Sequence, residues 1–180
     1  MSKTHRTGLV AGILVVTAGA IALFRGVPTA ERGAPGAPVS AEPVFASSFK
    51  DFNRQLQPLA QWRGQVTLVY FWATWCEPCR HEVPALIRLY ENYRSRDLVI
   101  VGIAVDQTDK VRKFVQDYGI NYAILIGGTD ALELSRKMGN HIRGLPFLIA
   151  IDRQGHVVAT QLGEFPDERL EEIVAPLMRL

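Results

Sequence analysis

Two cysteines, Cys76 and Cys79, are the only thiols of the chain, and they flank Glu77 and Pro78 in FWATWCEPCR, residues 71–80. Thiols this close can ligate a metal, form a structural staple or act as a redox reagent. Structural zinc takes about four ligands, mostly Cys and His. His5, His81, His141 and His156 show no ligand spacing that would complete such a set, so no metal is expected. A staple across so short a loop removes little entropy from the unfolded chain. The remaining chemistry is a reversible dithiol–disulfide couple, with an exposed thiolate that attacks and a second thiol that resolves the mixed disulfide. With no other cysteine present, such a pair has no partner within the chain to mispair with.

That chemistry needs a helix N-terminus, where unsatisfied N–H groups stabilise a thiolate. Residues 66–71, VTLVYF, form a continuous apolar, β-branched and aromatic run, the pattern of a central strand buried on both faces. A helix is expected from Cys76 to about residue 94, with Val83, Leu86, Ile87 and Tyr90 at helical spacing and a kink at Pro84. The pair therefore sits where a central strand passes into a helix. Cys76 is then the attacking sulfur and Cys79, tucked under the first turn, the resolving one. Trp72 reads as a core aromatic, and Trp75 as a candidate flank of the pair.

Further along, residues 98–105 read as a second buried strand, and 108–118 as a helix capped by Thr108 and stopped by Gly119. A short strand at 122–126 and a helix at about 130–138 follow. Residues 147–151 and 156–162 flank Asp152-Arg153-Gln154-Gly155 as a hairpin, and Pro166 opens a last helix over 167–178. Strands alternating with helices predict an α/β fold: a mixed central sheet flanked by helices.

The chain has 180 residues, 48% of them hydrophobic, and a formal net charge of +2. Without basic runs, nothing points to a nucleic acid partner. Lys3, His5 and Arg6 precede an uncharged apolar run at 8–24, near the lower length limit for a membrane-spanning helix. A cleaved signal has the same outline, but VPTA offers Pro28 where a small residue is wanted. The expected organisation is an uncleaved anchor over residues 1–25, a Pro/Gly/Ala-rich tether over 26–44 and one folded domain over 45–180. The positive-inside rule places that domain outside the cytoplasm.

YFWATWCEPCRHEVPAL, together with GLPFLIAIDRQG downstream, resembles the TlpA/ResA type of thioredoxin-fold protein, the membrane-anchored thiol–disulfide oxidoreductases of bacteria. The resemblance covers the chain from about Phe49 to the C-terminus and extends to the single N-terminal anchor. It implies a thioredoxin-like fold with a central βα insertion, here the strand at 122–126 and its neighbouring helix. Cys76 matches the attacking cysteine, Cys79 the resolving one, Glu82 an acidic residue of the same helix and Pro146 a cis-proline beside the site. A cis bond there would present the Leu145 backbone to an extended substrate segment. Trp75, Glu77 and Pro78 complete the expected substrate surface. Phe147 and Leu148 depart from the family, which often has small polar residues after that proline. Thioredoxin itself carries a buried aspartate in a segment like VDFWAEWC, where this chain has Tyr70. Glu82, one turn beyond Cys79, is then the candidate base for the resolving thiol.

The family mostly reduces disulfides outside the cytoplasmic membrane. The resemblance therefore implies disulfide-containing protein substrates, apocytochrome c among them, electrons from a membrane thiol transporter, and no cofactor beyond the Cys76–Cys79 disulfide. The local charges leave the direction open, since Glu77 favours the disulfide and Arg80 the thiolate. Three rivals stand beside the reductant: a DsbA-like oxidant, a peroxiredoxin-like peroxidase, whose sequence context lacks its proline here, and a Cu(I) or haem-site chaperone using the two thiolates.

Overall fold

The computed structural model describes residues 39–179. The expected anchor at 8–24 lies outside them, and among the described residues no helix is long and apolar enough to cross a membrane. The first elements are a one-turn helix α1 (Glu42–Phe45) and two three-residue strands, β1 (Ser48–Lys50) and β2 (Leu56–Pro58), which pair antiparallel. They are too short for a periodic pattern, and none of them is legible in the sequence.

The central unit is β3 (Val66–Trp72), α2 (Glu77–Tyr93) and β4 (Leu98–Ala104), with the two strands parallel and in register from Val66↔Leu98 to Trp72↔Ala104. Helix α3 (Thr108–Tyr118) leads to β5 (Ala123–Ile126), which pairs parallel with β4, and α4 (Gly128–Lys137) follows. The chain closes with β6 (Phe147–Ile151), β7 (Val157–Leu162) and α5 (Asp167–Leu177). The sheet order is β2-β1-β5-β4-β3-β6-β7. This is the mixed, helix-covered sheet expected from the alternation of elements, with β5 and α4 between its βαβ and ββα halves.

Every residue of β3 is buried, because helices cover both faces of the sheet. Side chains alternate between those faces. Leu68, Tyr70 and Trp72 join the core that holds Val83, Leu86 and Leu89 of α2 with Leu170 and Val174 of α5. Val69 and Phe71 join the opposite core with Phe45, Phe49, Ala131 and Leu134. The strand phase thus turns Tyr70 toward α2.

Two expectations are corrected. The tether does not extend to residue 44. Ala41 and Val44 are buried, Ser40 bridges His156, and the Val157 N–H donates to the Val39 carbonyl at 2.8 Å. The apolar side chains of 41, 44 and 45 cover one face of the sheet, which a Pro- and Ala-rich composition conceals. Thr108 is not a cap. It is the first residue of α3, the cap position falls on Gln107 without a side-chain bond, and the Asp106 carboxylate accepts from the Gln107 N–H at 2.7 Å.

Residues 39–41 attach beside the β6–β7 turn. The register Thr67↔Ile151 puts that turn at the N-terminal end of β3, whereas the cysteines follow its C-terminal end. The chain therefore enters the domain at the pole opposite the cysteine pair.

Candidate active site

β3 ends at Trp72, and after three intervening residues Cys76 caps α2 in extended conformation. The turn is closed by the Cys76 N–H on the Ala73 carbonyl (3.2 Å), and the Val105 N–H donates to the Trp72 carbonyl at 2.8 Å. Thr74 Oγ1 is hydrogen-bonded to the Asp106 carboxylate, which ties the cysteine loop to the end of β4. Glu77 and Pro78 occupy the first turn of the helix; a proline there forfeits no intrahelical bond.

Cys76 and Cys79 form a disulfide, with Cα atoms 5.3 Å apart. Cys76 Sγ accepts from the Cys79 main-chain N–H at 3.3 Å, so the sulfur that heads the helix already lies in its N-terminal field. The expectation of an exposed attacking sulfur is corrected for this disulfide form: Cys76 is buried, 5% exposed, and Cys79 0%, because the first turn of α2 packs the bonded pair into the core. Beside them Trp75 is 67% exposed, whereas Trp72 is fully buried, tilted against Phe114 with ring centroids 5.2 Å apart. Arg80 donates to the Tyr118 hydroxyl at 3.0 Å, and Tyr118 stacks on Phe114. Glu77 is exposed and Pro78 half-buried.

The Leu145–Pro146 peptide bond is cis. The antiparallel register Phe71↔Phe147 places Pro146 at the same end of the sheet as Ala73 to Cys76. Leu145 packs against the core that contains both cysteines. Asn140 holds Gly144 through bonds of 2.8 and 3.0 Å, and the Gly163 N–H donates to the Pro146 carbonyl at 2.9 Å. Among the described residues, none of these loop bonds engages the Leu145 main chain.

Glu82 is buried, 2% exposed. Tyr70 donates its hydroxyl to Glu82 Oε2 at 2.7 Å, and the Phe165 N–H donates to Oε1 at 3.0 Å. Burial raises the carboxyl to about 7; the two hydrogen bonds oppose the rise and the charge of Glu164 adds to it. The same surroundings push the Tyr70 and Tyr122 hydroxyls upward, chiefly by burial and then by the Glu82 charge. The Glu82 carboxyl thus titrates near neutrality, three residues beyond Cys79 on α2. Among the described residues, no cluster of three or more His, Cys, Asp or Glu is arranged to hold a metal ion.

A model of the Redoxin family matches residues 40–175. The chain belongs to the Redoxin family. It is also similar to the thiol-disulfide oxidoreductase ResA of Bacillus subtilis, 27% identical over 96% of this chain and 93% of that relative. The ResA of Bacillus thuringiensis is 33% identical over 63% of this chain and 64% of the relative, so that match spans somewhat less than two thirds of either protein. Among solved structures, a thiol:disulfide interchange protein of the thioredoxin family from Chlorobium tepidum superposes with a TM-score of 0.71 at 26% identity, covering 81% of this chain and 99% of that one. StoA from Bacillus subtilis matches with a TM-score of 0.58 at 22% identity and supports the fold alone. The TlpA/ResA-like, thioredoxin-type architecture expected from the motif is therefore the architecture of this Redoxin chain.

Sequence reasoning singled out Cys76, Cys79, Glu82 and Pro146, and the structure places all four at one end of the sheet or on the adjoining face of α2. It missed the partners of Glu82. Tyr70 carried a signal, since a hydroxyl in an otherwise apolar buried strand must find a hydrogen-bond partner. Phe165 carried none, because its contribution is a main-chain N–H 83 positions away.

Proposed function

We propose that this chain is a thiol–disulfide oxidoreductase that reduces disulfides of other proteins outside the cytoplasmic membrane. The observation that carries the reading is the Cys76–Cys79 disulfide at the head of α2, with the buried, proton-exchanging Glu82 one turn below it. In the reduced protein the Cys76 thiolate, stabilised by the helix N-terminus, attacks a substrate disulfide and releases one substrate thiolate. Cys79 then loses its proton to Glu82 and attacks Cys76 Sγ. The mixed disulfide breaks, the second substrate sulfur leaves with the electron pair, and the Cys76–Cys79 bond forms. A dithiol donor, in this reading a membrane thiol transporter, returns the pair to the reduced state.

Trp75, Glu77, Pro78, Leu145 and Pro146 supply the surface that meets the substrate. An extended segment pairing with the Leu145 main chain is a form of strand addition. For the direction, Glu77 beside Cys76 favours the disulfide and Arg80 one turn along opposes it, and the resemblance to mostly reducing TlpA/ResA-type proteins supports the reductant reading. The relatives named ResA support the activity, and cysteine pairs such as those of apocytochrome c are fitting substrates. The apolar run at 8–24 supports a single anchor, with the domain on the periplasmic or exterior side.

The test is a pair of substitutions in the full-length chain. Cys79→Ala is expected to accumulate mixed disulfides with its substrates, and Cys76→Ser to abolish both trapping and insulin reduction. Insulin reduction by Cys76→Ser at the wild-type rate sinks the reading. Labelling of the reduced pair in intact cells by a membrane-impermeant maleimide tests the location, and protection until lysis contradicts it.

A further inference from the structure

The Tyr70 hydroxyl lies within reach of two acceptors. Its oxygen is 2.7 Å from Glu82 Oε2 and 3.3 Å from the main-chain carbonyl oxygen of Cys79, and the whole side chain is buried. A tyrosine hydroxyl has one hydrogen to donate, so it serves one of these acceptors at a time. We propose that Tyr70 is a positioning residue for disulfide exchange: its hydroxyl turns between the Glu82 carboxylate and the Cys79 carbonyl, keeping the proton acceptor hydrogen-bonded both before and after it takes the Cys79 proton. The proposal rests on the reading of Glu82 as that acceptor.

The geometry accounts for both states without moving the main chain. When Glu82 is ionised, Tyr70 donates to Oε2 and Phe165 to Oε1. When Glu82 is protonated at Oε2, that O–H donates to the Tyr70 oxygen, and the Tyr70 hydrogen turns to the Cys79 carbonyl. No buried donor is stranded in either state, which in an apolar core would carry a large penalty. The acceptor of the second state belongs to the residue that carries the resolving sulfur. Strand phase makes the arrangement possible, because Tyr70 shares its face of β3 with Leu68 and Trp72 against α2.

The other groups that act on Glu82 are few. Glu164, next to Phe165, raises it and is itself paired with His81 at 3.3 Å. Tyr122, just ahead of β5, is buried and senses the Glu82 charge. Neither is hydrogen-bonded to the carboxylate, whereas Tyr70 is. Losing the Tyr70 bond therefore destabilises the ionised form and moves its protonation upward.

Reaction of the reduced full-length protein with 5,5′-dithiobis(2-nitrobenzoate) separates the steps. In the first phase the Cys76 thiolate attacks the aromatic disulfide and one thionitrobenzoate leaves. In the second, Cys79 gives its proton to Glu82 and attacks Cys76 Sγ, the mixed disulfide breaks, and the second thionitrobenzoate leaves with the electron pair. Overall, the dithiol is oxidised and the aromatic disulfide is reduced to two thiolates. The second phase is expected to accelerate with pH through the Glu82 transition. Tyr70→Phe should displace that midpoint upward by about one pH unit, roughly tenfold in the protonation equilibrium. 3,5-Difluorotyrosine at position 70, a stronger donor of the same shape, should displace it downward. In a Glu82→Gln background neither change should move the profile.

A midpoint that stays in place in both variants, or a rate lowered equally at every pH, overturns the proposal. If Tyr70→Phe does not fold, the sign of the difluorotyrosine shift decides alone. A wild-type second-phase profile in Glu82→Gln overturns the acceptor reading itself, and is distinguishable because it needs no change at Tyr70.

Discussion

The Glu82 carboxylate on α2 accepts the main-chain N–H of Phe165 at 3.0 Å. This bond joins α2 to the segment between β7 and α5, so the buried carboxylate is held by two parts of the chain far apart in sequence.

The first consequence is a stability that falls as pH rises. Glu82 is raised from 4.5 to about 7 in the folded protein, with burial as the main cause. The folded state therefore binds more protons than the unfolded state between these values, and stability decreases with pH across that window. Below about 4.5 both states are protonated at this residue, and above about 7 both are ionised, so its contribution is flat on either side. The total is on the order of 3 kcal/mol. Urea denaturation of the oxidised protein from pH 4 to 8 should show this slope, and Glu82→Gln should remove it. An equal slope in both proteins contradicts the prediction.

A second consequence concerns which sulfur reacts. Cys76 heads α2 with its sulfur on the Cys79 N–H, and Cys79 is completely buried. In the reduced protein iodoacetamide at neutral pH is expected to alkylate Cys76 at least about tenfold faster than Cys79, as thiolate stabilisation at a helix N-terminus requires. Peptide mapping after brief labelling checks this, and Cys79 labelled first reverses the roles.

The redox potential is expected nearer to the roughly −270 mV of thioredoxin than to the roughly −120 mV of DsbA. Glu77 beside the pair opposes thiolate formation and Arg80, whose charge persists in its bond to the neutral Tyr118 hydroxyl, favours it, so the expectation rests on the proposed reducing role. Equilibration against glutathione buffers measures the value. One above about −180 mV makes the protein an oxidant.

The sheet itself carries the fourth prediction. Gly102 pairs with Tyr70 across β3 and β4. A Cβ there would stand 2.7 Å from Ile124 Cδ1, 3.0 Å from Trp72 Nε1 and 3.3 Å from Tyr122 Cε2. Gly102→Ala should lower stability by about 1–3 kcal/mol through overpacking and change the fluorescence of buried Trp72. Thermal denaturation unchanged from wild type refutes it.

The sequence by itself determined the cysteine pair, its place after a central strand, the alternation that makes an α/β sheet, and the acidic residue one turn below Cys79. These are properties of spacing and local pattern, which neighbouring residues carry on their own. It placed Tyr70 in a buried strand, but not which face of that strand meets α2. Tertiary structure alone decided that the face of Tyr70 meets the face of Glu82, that a main-chain N–H from residue 165 completes the carboxylate's bonds, and that residues 39–44 belong to the fold. The physical reason is common to all three. A buried polar group takes whatever partner packing brings within about 3 Å, and a short apolar segment is stabilised by the surface it covers. Neither partner nor surface is written in the residues next to it.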